Sequence, residues 1–379
     1  MKMIGIDFTF IDFNMKLTTS LEIFTCDILD CIAKQKQEKN FIIVVHPAVK
    51  DAVKRRFPTF RVYGIGGGML KTLYSLFALK GINKVKQYGV YDTCLKIHGI
   101  TKIWFPYMVP QIIQRCKCDY VGTCHDLMQR NVDNDAAYRK IFEQSKRIVA
   151  ISTYTKNQIM LNYNIHEEKV VVIPNSIYFS TNSAMVEEIP ALKRKEFILD
   201  CNAFAPRKNT MVIIKAFERL KSTITEDLVL CGGYNLGDYF DECKKYIESK
   251  NLSNRVHMFL GIEEKQKNWL FKNCKLFVTP SENEGFGRTP IEAALFLKPV
   301  ISSRATSLEE ATCGLVHYIE NPRDDKELAE TIMDVLQNPD SEKKLINIKE
   351  TYVQRYSPER IVQEYMKVFQ DLGWIEAEG

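Results

Sequence analysis

Short β-rich apolar runs alternate with helical patterns along almost the whole chain, and this alternation limits the possible folds more than any other feature. The first series is KMIGIDF, FIIVVH, KIWF, DYVGTC, RIVAI and KVVVIP, with helical patterns starting near residues 20 and 153. The rhythm lapses at 178–195, where YFSTNSAMVEEIPALKRK is polar and unpatterned, and a hinge is expected there. It resumes with EFILDC, LVLCGG, RVHMF, KLFVTP and PVISS, interleaved with helices from 209 and about 238, 263 and 289. Strand runs separated by helix-length segments imply parallel sheets with crossover helices, an α/β architecture. A chain of 379 residues with 45% hydrophobic residues is too long for one ordinary domain and sufficient for two cores. The expected organisation is two doubly wound Rossmann-like domains facing a central cleft: 1–180, 190–356, and a segment 357–379 that packs back towards the first. That last segment reads as a helix with Pro358 at its first position.

The longest apolar stretches, such as FIIVV at 41–45, are far shorter than the roughly 18 residues that suggest a membrane span. A cytoplasmic protein is expected. The 11 cysteines include Cys116 and Cys118 but no C-x-x-C pair, which favours buried thiols over metal ligands or disulfides. The net charge of +5 is uneven: residues 1–180 hold 25 Lys+Arg against 15 Asp+Glu, leaving 27 against 32 in the rest. Part of the excess lies in 50–61 and in the amphipathic pattern at 69–86, which could rest on the anionic inner face of a cell membrane or simply carry a solvated lysine rim. No nucleic-acid-binding module is recognisable.

Ligands of open α/β sheets bind in the loops beyond the strand ends, so the informative segment is LFVTPSENEGFGRTPIEA at 276–293. Thr289 as N-cap, Pro290 as first helical residue and Glu292 as third would form a capping box, a purely structural role. That role leaves Glu284, Gly285 and Gly287 unexplained. Glycines ahead of a helix N-terminus let backbone N–H groups approach an anion, and flanking carboxylates suit sugar hydroxyls.

The segment PSENEGFGRTPIEA resembles the E-x7-E signature of glycosyltransferase family 4, retaining enzymes of the GT-B fold. CNAFAPRKNT, VGTCHDL, AISTYTK and VVIPNSI are similar to further stretches of that family in the same order, so the resemblance extends over most of the chain. It implies donor binding through Arg207, Lys208, Glu284 and Glu292, with Gly285, Phe286 and Gly287 giving backbone contacts. It implies a place for His125 and Asp126 beside the transferring sugar, and catalytic roles for His125, Asp126 and Glu284. The region after the first strand departs from the pattern, having no glycine pair; Thr19 with Glu22, and Lys16, are its candidate substitutes. Asp133-x-Asp135 resembles a metal-binding D-x-D but is expected to open a helix as N-cap and first-turn acid. No metal and no cofactor is expected.

The resemblance implies a retaining transferase moving a hexose from a nucleotide diphosphate sugar to a glycan or lipid-linked glycan during surface polysaccharide (lipopolysaccharide or capsule) synthesis. The alternatives are a nucleotide-sugar epimerase or hydrolase of the same fold, and a catalytically silent scaffold of a polysaccharide assembly complex.

Overall fold

The computed structural model describes residues 3–9, 20–65, 91–108, 110–114, 116–127, 132–178, 186–233 and 235–376. Lys16, Thr19, the glycines at 66–68, the basic segment 69–86 and part of the expected hinge fall outside them. The chain divides into two compact units, one comprising Met1–Ser176 with Pro358–Gly379, the other Ile177–Ser357.

The first unit is built on seven parallel strands: β1 (Ile4–Asp7), β2 (Phe41–Val45), β3 (Arg61–Gly64), β4 (Lys102–Phe105), β5 (Asp119–Cys124), β6 (Arg147–Ala150) and β7 (Val170–Val172). Their order is β3-β2-β1-β4-β5-β6-β7. The strands are apolar on both faces because both faces are covered, and the two-residue side-chain period sorts them into separate cores. Phe41, Ile43, Val45, Trp104, Val121 and Val149 belong to one cluster. Val44, Ile103, Phe105, Tyr120, Ile148 and Ala150 belong to the other.

The first of these cores is closed by the chain's last helix, Pro358–Asp371. Ile361, Val362, Tyr365, Met366, Val368 and Phe369 recur at helical spacing and are buried in it. The helix is also joined by hydrogen bonds: the Tyr365 hydroxyl lies 3.0 Å from the Thr123 hydroxyl, to which the Trp104 indole donates at 3.1 Å. These partners let two polar tips enter an apolar layer.

The second unit has six parallel strands: β8 (Phe197–Cys201), β9 (Asp227–Gly232), β10 (Val256–Leu260), β11 (Leu276–Thr279), β12 (Val300–Ser303) and β13 (His317–Ile319). They are ordered β10-β9-β8-β11-β12-β13. The order reverses between β8 and β11, the switch point at which ligands of doubly wound sheets bind. Close approach is built in at the edge of this point: a Cβ on Gly232 would lie 2.2 Å from the Asn202 carbonyl oxygen.

Two local expectations are corrected. The helix containing Asp133 and Asp135 starts at Val132, so Asp133 is inside its first turn and not its N-cap. The helix after β11 runs Arg288–Leu295, with left-handed Gly287 (φ 91°) as N-cap and no side-chain capping bond. Thr289 is therefore its second residue and Glu292 its fifth, out of register for a capping box. Glycine can turn the chain into the helix without a side-chain cap, and the Thr289 hydroxyl instead donates to Asn202 Oδ1 at 3.3 Å.

Candidate functional site

In the second unit the residues after β8 and β11, neighbouring strands at the switch point, are stitched together. Beyond β8, Pro206–Lys208 form a single 3₁₀ turn, and Asn209 follows in the left-handed region (φ 56°) as N-cap of the Thr210–Leu220 helix. Asparagine tolerates that conformation, and here it also ties three loops together. Its Nδ2 donates to the carbonyls of Pro280 and Pro322, both at 2.9 Å. The Glu282 amide donates to the Arg207 carbonyl at 2.8 Å, and the Arg207 guanidinium donates to the Asn283 carbonyl at 2.9 Å.

The turn so fixed brings both cations to one glutamate. Lys208 Nζ donates to Glu284 Oε1, and Arg207 Nη1 lies 3.6 Å from Glu284 Oε2. Lys208 and Glu284 are both buried, so each neutralises a charge that would otherwise be expensive to keep from water. The Glu284 backbone is equally constrained. Its amide donates to Thr306 Oγ1 at 3.0 Å, while its carbonyl accepts from the Thr306 and Ser307 hydroxyls at 3.0 and 2.8 Å. Phe286 is buried and packs edge-on against Tyr356, with ring centroids 5.4 Å apart, which anchors the loop from below. A Cβ on Gly287 would lie 2.5 Å from Leu308 Cδ2, so any other residue at this left-handed turn would have to displace that side chain.

Behind the cations is a residue that sequence reasoning missed. Asn202 Nδ2 donates to Asp200 Oδ1 at 2.6 Å and to Thr279 Oγ1 at 3.2 Å. Its Oδ1 accepts from Thr289 and from Lys208, the latter at 3.4 Å. Asn202 thus links β8, β11, the cationic turn and the following helix. Burial pushes the Asp200 carboxyl up to about 7, against the pull of the Asn202 hydrogen bond.

Glu292 belongs to a second cluster. Arg288, one helical turn earlier, approaches it at 3.4 Å and Lys267 at 3.5 Å. Burial opposes its charge, but Lys267 and Arg288 outweigh that and hold its carboxyl below the usual range. The Arg288 pairing follows helical spacing and could have been read from the sequence. Lys267 comes from a different helix, Glu264–Asn273, and carries no such signal.

In the first unit His125 and Asp126 directly follow β5. His125 is buried, its Nε2 is 2.8 Å from the Pro106 carbonyl, and Phe24 meets its ring edge-on at 5.3 Å. A carbonyl only accepts, so Nε2 carries the proton in this contact. Tyr107, Met108, Thr123, Cys124 and Tyr138 join His125 and Asp126 around a small concavity. Tyr107 is half-buried, and its phenol is raised by burial and, next, by the Asp126 charge.

All 11 cysteines are free thiols, and all except Cys118 and Cys313 are buried. Among the described residues no helix is long and apolar enough to cross a membrane.

Comparison with known proteins places both units. The family described as Glycosyl transferases group 1 matches residues 183–352, and Glycosyltransferase Family 4 matches 41–179. The serotype-specific mannosyltransferase WbdA of Escherichia coli is 29% identical over 224 residues, 54% of this chain and 27% of WbdA. The O-antigen chain mannosyltransferase RfbU of Salmonella typhimurium is 27% identical over 221 residues, 58% of each chain. The chain thus spans about a quarter of the first relative and just over half of the second. Among solved structures, Anabaena HepE in complex with UDP and glucose superposes with a TM-score of 0.69 at 18% identity, covering 98% of this chain and 100% of HepE. That likeness establishes the GT-B fold class. With one family model matching β2–β7 of the first sheet, the other matching the whole second sheet, and the two together covering most of the chain, the chain belongs to glycosyltransferase family 4.

Proposed function

We propose that the protein is a retaining hexosyltransferase that takes a sugar from a nucleoside diphosphate sugar and passes it to a glycan or lipid-linked glycan in surface polysaccharide synthesis. The observation that carries this reading is the convergence of Arg207, Lys208 and Glu284 from adjacent strand ends at the switch point of the second sheet. Two cations there would offset the charge that develops on a departing diphosphate, and they are already held in place before substrate arrives. On this reading the diphosphate competes with Glu284 for Lys208, which frees the carboxylate to accept hydrogen bonds from sugar hydroxyls. Amides at Gly285, Phe286 and Gly287 would approach the donor, and Glu292 would serve the ribose from its own cation pair.

Neither Glu284 nor Glu292 stands apart from basic groups as a carboxylate nucleophile would. This supports same-face attack assisted by the leaving phosphate, with His125 and Asp126 serving the transferring sugar from the first unit. On this reading the two cations offset the diphosphate charge in place of a metal, and no cofactor is called for. The mannosyltransferase relatives put mannose first among the sugars to test, and HepE puts UDP among the nucleotides. We also propose that the enzyme works in the cytoplasm with its basic first unit against anionic lipid. Flotation with phosphatidylglycerol vesicles at low salt, lost at high salt, is the expected result.

The central test is thermal-shift screening against UDP, GDP, dTDP and ADP, followed by their sugars with and without a glycan acceptor. A tenfold excess over Kd should raise stability by about 1.4 kcal/mol. Failure of every nucleotide to shift the melting point would remove the reading. Sugar release from donor alone, undiminished by acceptor, would make it a hydrolase or epimerase instead.

A further inference from the structure

We propose that Asp92, Cys116 and Cys118 form a binding site for one thiophilic divalent cation, of the Zn²⁺ or Cd²⁺ class. A carboxylate oxygen of Asp92 and the two sulfurs all lie within 4.8 Å of one another, and among the described residues no other group of three such ligands meets that condition. The loop geometry already aims the set. Asp92 is in the first turn of the Tyr91–Ile97 helix, and the Lys117 amide, between the two cysteines, donates to Asp92 Oδ1 at 2.8 Å. That bond pins the C-x-C stretch to the helix; the other carboxylate oxygen, Asp92 Oδ2, would be the ligand atom. Its present partner is Lys96 Nζ at 3.0 Å, a mostly exposed ammonium one turn along the helix that a stronger cation can displace. Cys118 Sγ donates to the Ile100 carbonyl at 3.2 Å, just ahead of β4, a bond given up when the thiol loses its proton to bind the cation.

Ligand chemistry selects the metal. Two thiolates and one carboxylate suit a borderline or soft d¹⁰ ion, whereas Mg²⁺ and Ca²⁺ require oxygen shells. Binding replaces two S–H bonds with two S–metal bonds and releases two protons. Three anionic ligands around a dication leave one negative charge, and the displaced Lys96 ammonium remains beside it to balance the charge. Water would complete a four-coordinate shell. The cation would clasp the Tyr91–Ile97 helix to the segment entering β5, and so steady Tyr91, whose hydroxyl donates to the buried Asp7 at 3.1 Å. None of these residues takes part in the proposed transfer.

The test uses the full chain, reduced, stripped with chelator and then freed of it. Titration with Cd²⁺ should produce the ultraviolet thiolate-to-metal band, saturating at one equivalent, and Zn²⁺ should compete for it. Cys116→Ser and Cys118→Ser should each abolish the band, and Asp92→Asn should weaken Cd²⁺ affinity about tenfold or more. Zn²⁺ should raise the melting point of the unsubstituted protein and leave both serine variants unmoved. A band that survives in both serine variants, no band at all, or a Cys116–Cys118 disulfide that persists after reduction would overturn the site.

Discussion

Lys208 is only 7% exposed, and its ammonium donates to Glu284 Oε1 and, at 3.4 Å, to Asn202 Oδ1. Substituting it by Ala would leave Glu284 buried beside the more distant Arg207. The expected loss is therefore about 3–5 kcal/mol of stability as well as activity, and this variant is a poor probe of catalysis. Glu284→Gln is the cleaner one, because the amide oxygen still accepts from Lys208. Its kcat/KM should fall by about 10²-fold or more, measured well below a melting point that the lost counter-charge to Lys208 lowers. Turnover within twofold of the unsubstituted enzyme would mean that Glu284 is only structural. Asp200 offers a pH test whose sign follows from its burial. Its folded pKa of about 7 lies above the ordinary 3.8, so the native state holds a proton that the unfolded chain has released. Its contribution to stability is complete below the ordinary value and is lost as pH rises to about 7. Asp200→Asn keeps an acceptor for Asn202 and should flatten the fall of melting temperature with pH across that window. Parallel curves for the two proteins would refute the assignment.

At the scale of elements, the Arg288–Leu295 helix shows how a motif can be seen correctly and its geometry misread. The T-P-x-E spacing suggested a capping box, but a left-handed glycine at 287 does the capping, and the Thr289 hydroxyl serves Asn202. Gly287→Ala places a Cβ against Leu308 in a conformation that L-residues resist. It should cost on the order of 1–3 kcal/mol, read as a lower urea midpoint. An unchanged midpoint would show that the Leu308 side chain yields freely. The buried strands were easier to read, since runs such as FIIVV are buried along almost their whole length.

At the scale of the molecule, the last helix belongs to the first unit although it follows the second in sequence. Ending the chain at Ser357 should expose the core made by Ile4, Phe41, Trp104 and Val121 while leaving the second sheet's own cluster complete. Calorimetry of that truncation should lose the first unit's transition and retain the second unit's. If both transitions persist, the Pro358–Asp371 helix is dispensable to the core. The point substitution Phe369→Ala tests the same contact more gently, at about 3–5 kcal/mol.

The sequence by itself determined the parallel α/β rhythm, because apolar runs of strand length and helical spacing are local patterns. It also singled out the loops proposed to carry chemistry, because the family's motifs are contiguous. It could not determine the partners: Asn202, Thr306 and Lys267 reach the candidate groups from elsewhere in the chain, and no local spacing records a contact made by chain reversal. Tertiary structure alone decided that Glu284 and Glu292 sit in different cation clusters, that Asp200 keeps its proton towards neutrality, and that Asp92 meets Cys116 and Cys118. Burial and proximity set those properties, and both exist only once the strands are side by side.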